Sequence, residues 1–276
     1  MGHVVITGGA SGIGESVALR LARSGHRVTI LDRLLPEAAT WWASLPAENR
    51  GLWFSLDVRD SSSVHRAVRD SWGVEPLDGL VTSAGVVTRG TLLTETPEEF
   101  SEGLEMNITG TLNPIRSVIE LWVSEGRPGS VVTMTSTAGL GYVAGLSAGY
   151  HAAKSAIVGI TRSVAGDYAR HGIRINAVAP GVVRTAMSLS QVAHQGEGSL
   201  AARAPAGRLA EPDEVSAVAE WLLSPSSRLT TGHVIPVDGG QSAVVGAPPA
   251  GYPLPAHDTR GTHAFGFSRS EKAVVS

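Results

Sequence analysis

Short apolar runs and helical stripes alternate along most of the chain. Residues 3–7 (HVVIT) are β-branched and apolar and predict a buried strand. Within 15–24 the apolar positions Val17, Ala18, Leu21 and Ala22 have the spacing of one helix face, and Gly25 stands where a helix stops. Residues 27–32 (RVTILD) predict a second strand, so the chain opens with a βαβ unit. The alternation continues with strands at 52–56, 79–82, 130–135, 174–178 and 233–237. Helices are predicted at 36–45, 61–71, 97–123 (interrupted near Asn107 and Pro114), 147–170 and 213–223. Seven strands between helices, with no break in composition, predict one α/β domain: an open parallel sheet with helices on both faces.

Two segments depart from this rhythm. Residues 186–210 form a long connection rich in Ala, Ser, Gln and Gly, read as a binding loop. Residues 241–276 are a Gly- and Pro-containing tail of weak periodicity, read as flexible, with an arm packing on a neighbouring subunit as the alternative. The domain is therefore placed at 1–240 and the tail at 241–276.

Composition narrows the function. Hydrophobic residues make up 42% of the 276 and charged residues 17%, which fits a large buried core and excludes a disordered chain. A net charge of −3 gives no basic field for nucleic acid or an anionic membrane. There is no cysteine, hence no disulfide, thiolate metal site or cysteine nucleophile, and no metal is expected. No targeting segment or membrane-length apolar run is read, so a soluble cytoplasmic protein is expected.

The candidate chemistry starts at the first turn. Thr7-Gly8-Gly9-Ala10-Ser11-Gly12-Ile13-Gly14 joins the first strand to the first helix. Glycines there allow backbone to approach a pyrophosphate, which the helix N-terminus attracts through its free N–H groups. Asp32 ends the second strand, where an acid accepts from a ribose 2′-OH and repels a 2′-phosphate. That favours NAD; Arg33 beside it could accommodate NADP instead, the less favoured reading. Asp57 and Val58 close the third strand, where a carboxylate can meet an adenine amino group.

Lysine occurs only at 154 and 272, and Lys154 follows Tyr150 by four residues on a predicted helix, so the two share a face. Oxidising an alcohol needs a base for the hydroxyl proton. A phenol with a pKa of ~10 falls short of pH 7 by ~4 kcal/mol. An ammonium about 4 Å away supplies ~4 kcal/mol at an effective dielectric of 20, before desolvation. Ser136, in MTSTAG, can hold the substrate oxygen against Tyr150, and strand alternation turns Thr135 and Thr137 to the opposite face. Asn107, in the helix interruption, could bind a water relaying protons through Lys154.

Taken together, these residues resemble the short-chain dehydrogenase/reductase family over about residues 3–240. The resemblance rests on TGGASGIG (7–14), Asp32, Asp57, TSAG (82–85), MNITG (106–110), the TS of 135–136, YHAAK (150–154), NAVAPG (176–181) and VDGG (237–240). It implies a Rossmann-type, doubly wound, seven-stranded sheet and a catalytic set of Ser136, Tyr150, Lys154 and Asn107. Tyr150 would be the general acid/base, and Lys154 would also hold the nicotinamide ribose. A cofactor would lie along Gly8, Ser11, Gly12, Ile13, Gly14, Asp32, Arg33, Asp57, Val58, Ala84 and Gly85, with Pro180, Gly181, Val183 and Thr185 on the carboxamide. The resemblance also implies a homo-oligomer, tetramer or dimer, built on the two long helices. Thr82-Ser83 departs from the family's Asn-Asn and bears on how the central sheet is braced.

The substrate wall is placed at Val86, Val87, Ala138, Leu140, Tyr142, Val143, His151 and the 186–210 segment, mostly apolar. An NAD-dependent oxidoreductase interconverting a secondary alcohol and a ketone on a largely apolar or alicyclic skeleton is expected. An NADPH-dependent ketoreductase and a non-catalytic nucleotide sensor are the alternatives. Arg89 and Arg184 are read as solvated, with carboxylate pairing as the sharper option.

Overall fold

A computed structural model describes residues 2–243. The tail from 244 onward, including the expected arm, lies outside the described residues. The strands are β1 (His3–Thr7), β2 (Arg27–Asp32), β3 (Arg50–Ser55), β4 (Leu77–Thr82), β5 (Gly129–Met134), β6 (Ile173–Pro180) and β7 (Val234–Val237). They form one parallel sheet in the order β3-β2-β1-β4-β5-β6-β7. The order reverses between β1 and β4, so the strand ends open there into a crevice.

Helices cover both faces because the central strands are apolar on both. On one side α1 (Gly12–Arg23) and α8 (Pro212–Leu223) bury Val17, Leu21, Val215 and Leu222 against Val4, Ile6, Val132 and Val178. On the other, α2 (Ser61–Val74), α4 (Gly110–Ser124) and α5 (Ala148–Tyr168) pack Val64, Val68, Ile115, Trp122 and Ala165 on Val5, Leu80, Val131 and Ile175. The sheet is thus the doubly wound single domain expected. Among the described residues no helix is long and apolar enough to cross a membrane.

Three expectations need correction. Residues 36–45 form no α-helix but two 3-10 turns, Pro36–Ala38 and Trp42–Ser44. The segment's apolar weight sits at adjacent residues rather than on a helical face. Trp41 and Trp42 pack edge-on, and both meet Trp53 of β3, the Trp42–Trp53 centroids lying 5.2 Å apart.

Pro114 does not interrupt its helix. It lies inside α4, four residues after Gly110, and the helix runs on through it to Ser124. The break falls at Asn107, where Glu105–Thr109 wind as a π turn between α3 (Pro97–Leu104) and α4. Finally, 186–210 is no structureless loop. Its Ala, Met, Leu and Gln residues are good helix formers, and they build α6 (Ala186–Gln195) and α7 (Glu197–Ala201).

Candidate active site

The crevice at the sheet's reversal is a cavity of about 360 Å³. Its first half is made by the turn after β1. Gly8 has φ +67°, and a Cβ there would come within 2.7 Å of the Ala84 backbone, so two chain segments cross in contact. A side chain at Gly14 would collide with the Gly8 carbonyl; Gly14 packs the turn onto α1 and does not line the cavity. Ser11 caps α1 without a side-chain hydrogen bond, and Ser11, Gly12 and Ile13 line the cavity at the positive end of that helix. A backbone cradle at a helix N-terminus fits a dinucleotide's pyrophosphate.

Further along, both Asp32 carboxylate oxygens are engaged: Oδ2 accepts the Ala10 N–H at 3.0 Å and Oδ1 the Leu34 N–H at 3.0 Å. The acid is thereby fixed between the glycine turn and the next loop, at the cavity wall. Arg33 lines the same wall and is exposed. Asp57 is gripped by Arg59, whose Nη2 lies 2.6 Å from Oδ2; that guanidinium holds the carboxyl below its usual range. Val58, Ala84, Gly85, Pro180, Gly181, Val183 and Thr185 all face the cavity.

The side chains of Thr82 and Ser83 are not what ties the strand ends. Thr7 does so: its Oγ1 accepts from Ala84 N–H at 3.2 Å and its carbonyl from Ser83 N–H at 3.1 Å. The Thr82 hydroxyl is buried without a partner.

In the second half, Ser136, Tyr150 and Lys154 converge on the cavity. Ser136 follows β5, and its Oγ accepts from Ala138 N–H at 3.2 Å. Thr135 donates to the Lys154 carbonyl at 2.7 Å, pinning α5 to the end of β5. Lys154 Nζ donates to the Met134 carbonyl at 3.0 Å, and burial lowers its pKa from 10.5 to about 8. Nζ lies 5.6 Å from the Tyr150 ring centroid.

The expected balance, a phenol made acidic by that ammonium, is opposed by burial. Burial pushes the Tyr150 phenol above its usual value, and the opposing influences are the Ser136 hydroxyl and the Arg89 charge. Asn107 also differs from expectation, being buried behind the cavity rather than lining it. Its Nδ2 donates to the Gly103 carbonyl at 2.9 Å and to Val86 O at 3.1 Å, and Oδ1 accepts from Val86 N–H at 3.3 Å. Both side-chain amide protons are therefore engaged by backbone carbonyls beside the cavity.

Known proteins bear on this arrangement. A family model described as enoyl-(acyl carrier protein) reductase matches residues 8–242. A 2,5-dichloro-2,5-cyclohexadiene-1,4-diol dehydrogenase of Sphingobium indicum is 33% identical over 245 residues, covering 87% of this chain and 97% of the relative. The chain belongs to the short-chain dehydrogenase/reductase family. Another member, levodione reductase of Leifsonia aquatica, is 33% identical over 255 residues, covering 87% of this chain and 94% of its own.

Solved structures of the short-chain dehydrogenase/reductase fold superpose closely. One from Mycobacterium paratuberculosis bound to NAD has a TM-score of 0.79 at 29% identity, covering 87% of this chain and 97% of the other. ElxO with NADP bound has a TM-score of 0.79 at 29% identity, covering 87% and 99%. The chain is thus an oxidoreductase of a family acting on alcohols and ketones with a nicotinamide cofactor, and its structural neighbours include complexes of both dinucleotides.

Against this family frame, the substrate wall is partly misplaced by sequence. Val86, Val87 and Val143 line the cavity; Ala138, Leu140, Tyr142 and His151 do not. His151 is a brace. Its Nδ1 contacts the Ser147 carbonyl at 2.7 Å and its Nε2 accepts from Val143 N–H at 3.0 Å, while the exposed Tyr142 ring stacks on it. The wall also includes Met187 and Gln191, from the 186–210 segment expected there, and Met134, Leu146 and Gln241, which were not anticipated. Gln241 directly follows VDGG and was within reach of motif reasoning. Leu146 was not, because its place depends on a backbone bridge to Arg89 across the sequence.

The N-terminus of α5 is fastened to that same wall. Ser147 Oγ accepts from Tyr150 N–H at 3.1 Å and meets Thr88 Oγ1 at 2.6 Å, and Ser147 N–H donates to the Thr88 carbonyl at 3.1 Å. Glu95 Oε2 accepts from Gly149 N–H at 3.0 Å, placing a carboxylate at the positive end of the helix that carries Tyr150.

Proposed function

We propose that this protein interconverts a secondary alcohol and a ketone with NAD, using Tyr150 as the general acid/base. The observation that carries the reading is the convergence of Ser136, Tyr150 and Lys154 on one cavity with the glycine turn and Asp32. A nicotinamide bound there would accept or supply the hydride. In oxidation, Tyr150 Oη takes the hydroxyl proton as hydride leaves the carbinol carbon. In reduction it returns that proton to the carbonyl oxygen. Ser136 Oγ donates to the substrate oxygen and keeps it within reach of the phenol. Lys154 holds the ribose hydroxyls and, when charged, favours the phenolate. The walls Val86, Val87, Val143 and Leu146 exclude water and suit an apolar skeleton. A ring-shaped substrate is supported by the cyclic compounds named for the Sphingobium and Leifsonia relatives.

NAD rather than NADP is supported by Asp32, whose two oxygens are held at the wall by Ala10 and Leu34. A 2′-phosphate beside that fixed acid would meet like charge. Arg33, exposed on the same wall, favours the second reading, an NADPH-dependent ketoreductase. Steady-state kinetics separates them: kcat/KM for NAD exceeds that for NADP by at least about tenfold, and Asp32→Ala brings the two within about threefold. Equal use of both cofactors by the unmutated protein contradicts the NAD assignment.

A further inference from the structure

The two halves of the cavity differ in charge. Asp32 and Asp57 lie in the half framed by the glycine turn, and Asp57 is already neutralised by Arg59. In the half that holds Ser136, Tyr150 and Lys154, no acidic side chain among the described residues lines the wall, and Arg89 does. Arg89 is exposed and stands at the rim of that half. Arg89 forms an antiparallel bridge with Leu146, one residue before the cap of α5, so its backbone moves with the helix that carries Tyr150. Among the described residues no carboxylate pairs with it. Arg184, the other arginine singled out by sequence, is by contrast clamped between Glu197 and Glu211 and does not line the cavity.

We propose that Arg89 is a specificity residue that recognises a carboxylate on the substrate, so that the preferred substrates are hydroxy acids or keto acids with an apolar skeleton. This rests on the alcohol and ketone reading of the same cavity. The chemistry fits each wall. Val86, Val87, Val143 and Leu146 take the skeleton, and Ser136 and Tyr150 take the oxygen being oxidised or formed. Arg89 offers the planar fork that matches a carboxylate bidentately. A cation left without an internal partner at the edge of an apolar wall also draws anionic ligands toward it. The charge reaches the reacting group as well, because it favours the ionised form of the Tyr150 phenol. A substrate carboxylate on Arg89 would offset that influence, so binding and proton transfer are linked.

The test reads binding, not turnover. Cyclohexanecarboxylate and cyclohexanecarboxamide share shape and differ in charge. Titrated calorimetrically into the full chain with saturating NADH, the carboxylate binds about tenfold tighter than the amide. Arg89→Ala brings the two within about twofold, and Arg89→Lys retains an intermediate preference as a point charge without the fork. Raising salt from ~50 to ~500 mM weakens the carboxylate alone. Equal affinities in the unmutated protein, a carboxylate preference that survives Arg89→Ala, or no measurable binding of either probe overturns the proposal. Carboxylate binding through Arg89 without any hydride transfer would instead defeat the function proposed above and leave this inference standing.

Discussion

Replacing Tyr150 with Phe lowers turnover by about 10³–10⁴-fold, while affinity for the dinucleotide changes by less than about twofold. The reason is the distribution of tasks across the cavity. The phenol hydroxyl is the proposed carrier of the substrate proton, whereas the phosphate cradle, Asp32 and the 180–185 segment surround the cofactor half and lack contact with that hydroxyl in their roles. The ring itself is buried against Ala138 and Val143, and Phe keeps that packing. Thermal stability therefore stays close to that of the unmutated protein, so a loss of rate reports chemistry rather than unfolding. Retention of more than about a tenth of the turnover would remove Tyr150 from the proton-transfer step.

Replacing Lys154 with Met abolishes most activity, and it also removes a cost to the fold. Burial depresses the lysine from 10.5 to about 8, so the charged form is held in the interior at neutral pH against its preference. At ~1.4 kcal/mol per pKa unit, that ionisation costs on the order of 3 kcal/mol below pH 8. The sign follows from proton counting. Between pH 8 and 10.5 the unfolded chain binds the proton and the folded chain does not, so the lysine's presence lets stability rise with pH across that window. The advantage of Lys154→Met over the unmutated protein is accordingly largest below pH 8 and shrinks by ~3 kcal/mol as the pH climbs to 10.5. Loss of the donor to the Met134 carbonyl shifts the whole curve by a constant and leaves this slope untouched. Denaturant unfolding of both proteins across the range measures it, and a pH-independent difference contradicts the account.

The same residue shows how far reading along the chain reaches. That Tyr150 and Lys154 share a face follows from their spacing alone, as does the burial of β1 and the placement of the glycine turn before α1. Each depends on residues within a few positions of one another. What Lys154 does electrically could not be read that way, because its nearest acceptor is a carbonyl on β5 and its environment is set by long-range packing. His151 is the same lesson on the substrate side. An imidazole next to the key tyrosine looks like a pocket residue, yet it is turned away to hold Val143 and Ser147. Asn107 was correctly placed at a break in the helix, but its bracing of Val86 needs a contact across 21 residues. At 36–45 and 186–210 the composition carried the wrong inference: two adjacent tryptophans sought Trp53 rather than a helix face, and an Ala-rich connection wound into α6 and α7.

The most direct test of the central claim is absorbance at 340 nm. The unmutated protein is mixed with NAD or NADP and a panel of cyclic and open-chain secondary alcohols, with and without a carboxylate, and with the reduced cofactors and the matching ketones. The account predicts cofactor reduction by an alcohol and cofactor oxidation by its ketone, with NAD and NADH the better pair. Dinucleotide binding by calorimetry together with a flat 340 nm trace for every member of the panel would contradict it.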